Sequence, residues 1–164
     1  MSASLTTQEP VDVAQDCAQA KHAALRMLAG REHSVRELQR KLMAKGANPA
    51  AVANVLEELQ EANLLSDARF AESYVNARTT KGFGPMHIRQ GLLERGVGED
   101  LVDDYLTHSG DHWCERARAA LAKRFGSEPV ADRNEWNRQA RFLAGRGYPA
   151  DIIYRVLGSN SSMG

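Results

Sequence analysis

The sequence predicts an all-α protein built as three tandem three-helix repeats, about nine helices in an elongated, curved array whose hand the sequence leaves undetermined. Three observations carry that expectation. Glycines stand at near-equal intervals, Gly46, Gly96 and Gly147, which are 50 and 51 residues apart by subtraction. Each has the same neighbours: a basic residue directly before it (Lys45, Arg95, Arg146), a leucine four before (Leu42, Leu92, Leu143) and a β-branched residue six after (Val52, Val102, Ile153). Apolar residues otherwise recur at helical spacing, with no convincing strand alternation. A fixed period of this size marks a repeat architecture, in which neighbouring units bury each other's apolar faces and present an extended surface.

Residues 1–12 are polar, contain Pro10 and read as a disordered arm. The first repeat, 13–65, opens with a stretch that sets Val13, Cys17, Ala20, Ala24, Leu25 and Leu28 on one helical face. Ser34-Val-Arg-Glu37 reads as a capping box: the Ser hydroxyl accepts the backbone N–H three residues on, and Glu37 can reach back. The helix it starts carries Leu38 and Leu42 and stops at Gly46, in the left-handed position. Asn48 then caps a helix with Pro49 at its first position, and Val52, Val55, Leu56 and Leu59 point inward.

The second repeat, 66–110, has Ser66 as N-cap of a helix bearing Phe70, Ala71, Tyr74 and Val75. Gly82-Phe-Gly-Pro85 breaks it. Pro85 begins a helix with Ile88 and Leu92 that stops at Gly96, and the next helix carries Leu101, Val102, Tyr105 and Leu106. The third repeat, 111–157, divides into helices at 111–125, 132–146 and 149–157. Gln139 falls where Leu38 and Ile88 fall in the other repeats, so the apolar seam is expected to shift toward Phe142 and Leu143. Trp113 and Trp136 anchor this repeat's core. Residues 158–164 read as a disordered tail.

Composition narrows the function. The chain has 21 basic and 21 acidic residues, which argues against a strong general polyanion binder. The charge is banded: 111–164 holds nine basic against six acidic residues, net +3, while 66–110 holds five against seven, net −2. Cys17 and Cys114 form no disulfide framework or metal knuckle. No apolar run is long enough to span a membrane, and the opening MSASLTTQEP lacks the features of a signal peptide; the chain reads as cytoplasmic. His108, His112 and Cys114 would suggest a metal site only if the two histidines shared one helix turn, and Ser109-Gly110-Asp111 interrupts that turn. No dinucleotide fingerprint, P-loop or nucleophile elbow occurs. Gly82-Phe-Gly-Pro85 is a helix connector, because Pro85 removes a donor a phosphate cradle needs. No catalytic residue, cofactor or metal is therefore expected, and the chain is read as no enzyme.

The central repeat carries the most specific string: Asp67-x-Arg69-Phe70-Ala71-x-x-Tyr74-Val75-x-x-Arg78, then Gly82-x-Gly84-Pro85-x-x-Ile88-x-x-x-Leu92, then Gly96. It resembles the RecX family, the regulators of the RecA recombinase. Arg31-Glu32-His33-Ser34 and Leu38-x-x-x-Leu42-x-x-x-Gly46 resemble the opening of that family, and the resemblance covers roughly 20–157. It implies a chain of three three-helix repeats that binds the RecA–single-stranded-DNA filament and mostly inhibits strand exchange, ATPase and co-protease activity, in DNA repair and SOS regulation. It carries over no catalytic residue. The partner is then RecA or its filament, with DNA contact weak at most, no membrane, no small-molecule substrate, and the chain a monomer.

The residues chosen for partner contact are all cations. Arg36, Arg40, Lys41 and Lys45 lie on one helix whose core side is set by Leu38 and Leu42; at 100° per residue Arg36 and Arg40 point roughly away from it, forming a ridge. Arg78 and Lys81 flank the Gly82-Phe-Gly-Pro85 break. Arg69 and Arg89 complete the set. Two other classes stay open: a helical-repeat DNA-binding module, whose binding would fall steeply with salt, and an adaptor for a different protein.

Overall fold

The computed structural model describes residues 13–159. Among these residues it contains nine α-helices and no strand. In the first repeat α1 spans Val13–Gly30, α2 Val35–Ala44 and α3 Pro49–Glu61; in the second α4 spans Asp67–Thr80, α5 Pro85–Glu94 and α6 Glu99–Leu106; in the third α7 spans Gly110–Phe125, α8 Arg133–Gly145 and α9 Ala150–Leu157. The expected arm at 1–12, and all of the expected tail beyond residue 159, lie outside the described residues.

The glycine signature has one physical cause, used three times. α2, α5 and α8 each end on a glycine at positive φ: Gly46 at 85°, Gly96 at 77° and Gly147 at 93°. The amide after each glycine donates back to the leucine carbonyl: Ala47 to Leu42 at 3.2 Å, Val97 to Leu92 at 3.1 Å, Tyr148 to Leu143 at 3.1 Å. The glycine amide donates to the residue after that leucine, Met43, Leu93 or Ala144. This is the Schellman closure, and its left-handed residue strains any side chain with a Cβ. The leucines are fully buried, so one residue both closes each helix end and pins it to the core. The next helix then starts in fixed register: Val52, Val102 and Ile153 donate to Asn48, Gly98 and Pro149, and all three are buried.

Packing gathers the chain into two compact units that divide between Asp67 and Ala68. In the first, α1 and α2 both pack on α3, around Leu38, Leu42, Val52, Val55, Leu56 and Leu59. Ala20 and Ala24 are buried there, with Cys17, Met27 and Leu28 at the margin. Two residues expected on this face are not on it: Val13 is 49% exposed and Leu25 38%. Small alanines at the centre of the stripe let α1 approach α3 closely, so the buried band is narrow and a residue 100° round from Ala24 reaches solvent.

The second unit has a single core that draws on two repeats. Phe70, Val75, Ile88, Leu92 and Val102 pack in one cluster with Trp113, Leu121, Leu143, Tyr148 and Ile152. Burying each large apolar side chain contributes about 1.5–3 kcal/mol, so neither repeat can leave the other cheaply. The connector after α4 adds a weld. Gly84 N donates to Arg146 O at 2.7 Å and Met86 N to Gly147 O at 3.0 Å, while Tyr148 Oη donates to Gly82 O at 3.2 Å. The amides of the N-cap Gly84 and of Met86 in the first turn of α5, orphaned at any helix start, are thus satisfied by the carbonyls of Arg146 and Gly147 just past the end of α8. Burial also pushes the Tyr148 phenol up to about 12.

The apolar seam of α8 does not shift as expected. Gln139 is buried, Leu143 is fully buried and Phe142 only partly. The helix phase is fixed by Leu143 and the stop at Gly147, so the position four residues earlier faces inward whatever it holds. The Gln139 amide nitrogen is met by Glu135 Oε1 at 3.4 Å.

Candidate functional site

On α2 the four chosen cations, Arg36, Arg40, Lys41 and Lys45, are all exposed, while Leu38 and Leu42 hold the opposite face in the core. The start of this helix is doubly capped. Ser34 Oγ accepts from Glu37 N at 3.0 Å, and Asp67 Oδ1 accepts from Val35 N at 2.8 Å. The aspartate that heads the central string therefore serves the preceding repeat. Glu37 is gripped by Arg31 through two nitrogens, at 2.5 and 3.1 Å, with Lys41 at 3.9 Å. Burial pushes Glu37 upward, but the hydrogen bond and charge of Arg31, with His33 and Lys41, prevail and hold the carboxyl below its usual range.

His33 lies beneath this cluster, 3% exposed. Its Nδ1 is 3.0 Å from Arg31 O and its Nε2 3.1 Å from Lys41 Nζ. An ammonium can only donate, so Nε2 accepts, and the neutral ring donates from Nδ1 to the carbonyl. Burial, with the charges of Arg31 and Lys41, lowers the pKa of His33. Lys41 is thus engaged within the unit. Arg36 and Lys45 form no ion pair among the described residues.

In the second unit the chosen residues separate. Arg69 is half-buried on α4. Arg89 pairs with Asp103 of α6 at the surface. Arg78 lies over the rings of Tyr74 and Phe83, at 5.1 and 5.6 Å. It is one rung of a ladder: Arg95 covers Tyr74 at 4.9 Å, and Arg146 sits over Phe83 at 4.8 Å and Phe142 at 5.2 Å. Each such contact is worth about 0.5–1 kcal/mol when exposed and more when desolvated. His87 stacks on Phe83 at 4.2 Å; burial and the charges of Arg78 and Arg146 lower its pKa. Lys81 is exposed and faces cations of α7 and of the end of α8 that were not chosen from the sequence: Arg116, Lys123, Arg124 and the C-cap Arg146. The available signals were the +3 balance of 111–164 and the seven-residue spacing of Arg116 and Lys123, which places both on one helix face.

His108 and His112 stand 4.3 Å apart by ring centroids, and each meets the Trp113 ring edge-on. Among the described residues no group of three His, Cys, Asp or Glu side chains could hold a metal ion. No described helix is long and apolar enough to cross a membrane. What the exposed arrangement offers is cationic surface on both units.

Comparison with known proteins gives a consistent result. Residues 20–59, 66–106 and 111–157 match the family models described as RecX, first, second and third three-helix domains. The chain is 47% identical over 133 residues to the regulatory protein RecX of Halorhodospira halophila, covering 81% of this chain and 83% of that one. It is 40% identical over 137 residues to the regulatory protein RecX of Pseudomonas syringae pv. tomato, covering 84% and 88%. In fold it resembles the crystal structure of RecX from Lactobacillus salivarius, with a TM-score of 0.74 at 23% identity over 92% of this chain and 99% of that one.

Proposed function

The chain belongs to the RecX family of regulatory proteins, and from that premise we propose that it binds the RecA–DNA filament and restrains RecA without performing chemistry of its own. The observation that carries this reading is the tandem match of all three RecX domain models along residues 20–157. The relatives are named regulatory proteins, and the exposed side chains on this chain are suited to docking. Arg36 and Arg40 of α2 offer exposed charge on the first unit, and on the second Lys81 is exposed beside the connector, next to the half-buried Arg78.

Two units on one chain favour contact with more than one protomer of a filament. Once one unit is bound the other binds intramolecularly, which raises residence time without a deep pocket. A coupling of a few kcal/mol suffices to tip filament growth toward disassembly. Such action would take place in the cytoplasm, where the filament forms, with the regulator acting as a monomer.

The test is the single-stranded-DNA-dependent ATPase rate of the cognate RecA, titrated with this protein below equimolar amounts. Inhibition at a small fraction of the RecA concentration supports capping or bridging of the filament. An unchanged rate at excess protein and low salt would overturn the reading and leave an adaptor for another protein as the better account.

A further inference from the structure

We propose that the cleft between the end of α4 and helices α7 and α8 is a nucleotide-phosphate site, holding phosphate groups on its arginines and lysines and the base or sugar against an apolar floor. The cleft measures about 350 Å³, within the size range of small-ligand sites. Lys81, Arg116, Lys123, Arg124 and Arg146 line it, and among the described residues no Asp or Glu does. None of the five forms an ion pair among the described residues. Five like charges around one hollow repel one another, and a bound anion relieves that repulsion. Ala119, Ala120 and Phe142 supply the floor.

Two of the three arginines are set in place before any ligand arrives. Arg146 is held over Phe83 and Phe142, and Arg124 over Phe125 at 5.2 Å. A guanidinium presents a planar fork that matches two phosphate oxygens, and holding it on aromatic faces cuts the entropy lost on binding. The C-terminal end of a helix ordinarily repels anions, but the carbonyls of α4 from Asn76 to Thr79 are occupied. Asn76 O accepts from Thr80 Oγ1 at 2.8 Å; Ala77 O, Arg78 O and Thr79 O accept from the amides of Lys81, Phe83 and Gly82. Thr79 also lines the cleft, and among the described residues its buried hydroxyl has no hydrogen-bond partner, a cost that a ligand oxygen reaching it would remove.

Two sources carry this chemistry, a free nucleoside triphosphate and the backbone of a single strand. A neighbouring hollow lined by Arg138, Arg141 and Phe125 shares Arg124 and Phe142 with the cleft. A strand would run on into it, whereas a free nucleotide needs the cleft alone.

The test uses the full chain without RecA, at low salt, with fluorescently labelled ATP and a labelled oligothymidylate as probes. At least one probe should bind, and R116E/R124E should raise its Kd about ten-fold or more. K123E, a single exposed change, should act in the same direction but less. R133E, at the exposed start of α8, should leave binding unchanged. If R138E/R141E lowers oligothymidylate binding, the strand is the ligand; if it spares ATP binding that R116E/R124E abolishes, the free nucleotide is. Absence of binding by both probes, or binding that survives R116E/R124E with an unchanged far-UV helical signal, would overturn the proposal. With RecA absent from the assay, its failure and that of the regulatory reading are separable.

Discussion

Gly84 and Gly147 touch backbone to backbone, and neither has room for a side chain. A Cβ on Gly84 would lie 2.7 Å from the carbonyl carbon and oxygen of Gly147 and from Tyr148 N. A Cβ on Gly147 would lie 2.5 Å from the backbone nitrogen and Cβ of His87. The amides of Gly84 and Met86 donate across the same contact. The connector of the second repeat and the helix stop of the third are therefore one structural element, which explains why the connector is glycine-rich.

The glycines separate two kinds of cost. Gly46 has a positive φ and nothing within 4 Å of a built Cβ, so G46A should cost only backbone strain, about 1 kcal/mol. Gly84 has an ordinary φ of −94°, so G84A should cost about 2 kcal/mol through the collision alone. G147A combines both and should exceed either, at about 3 kcal/mol or more. Denaturant unfolding of the three variants checks the order, and a G46A loss equal to that of G147A would contradict it.

Gln139 stands in a leucine position. Its amide makes one long contact and displaces apolar volume from a buried site. Q139L should therefore stabilise the second unit by about 1 kcal/mol. A lower midpoint of thermal unfolding would show that the amide has a partner worth keeping.

The start of α2 depends on Asp67 as much as on Ser34. D67A leaves Val35 N without its acceptor and should cost the first unit about 1 kcal/mol, the typical value of a lost cap. S34A should cost a similar amount by exposing Glu37 N. Chemical denaturation measures both, and D67N should restore most of the loss because an amide oxygen can still accept.

Acidification should weaken the first unit through His33. Its folded pKa lies below the unfolded value of about 6.5, so the unfolded chain binds the extra proton first. The contribution is full above that unfolded value and is lost as pH falls through the lowered folded one. Thermal unfolding followed from neutral pH to about one unit below the unfolded pKa should show a fall that H33Q reduces. His87 and His112 are shifted the same way, so an identical fall in H33Q would assign the effect to them.

Reversal of the α2 ridge tests its part in docking. R36E/R40E should weaken inhibition of the RecA ATPase about ten-fold while leaving the far-UV helical signal intact, since both side chains are exposed. Undiminished inhibition would mark the ridge as a solvated face.

Much of the fold was legible in the chain because it rests on local rules. The stop at Gly46, Gly96 and Gly147, the cap at Ser34 and the Asn48-Pro49 start are each fixed within a few residues of sequence. The same locality let the three repeats be read from spacing, while the resemblance to the RecX family rested on the particular residues of the string from Asp67 to Gly96. What the chain did not disclose depends on which surfaces meet. Helical period places Val13 and Leu25 on one face with Ala24, but only the close approach of α1 to α3 decides how wide a band is buried. Charge counting finds Arg78 and Lys81, but their roles part once Phe83 and Tyr74 take the arginine and the lysine faces Arg116 across a cleft. Sequence by itself thus determined helix ends, register and repeat number, because hydrogen bonds between near neighbours set them. Tertiary structure alone decided that the second and third repeats share one core, that Asp67 caps the preceding repeat, and that cations from α4, α7 and α8 line a single hollow, because those contacts join residues 30 to 70 positions apart, where no local period reaches.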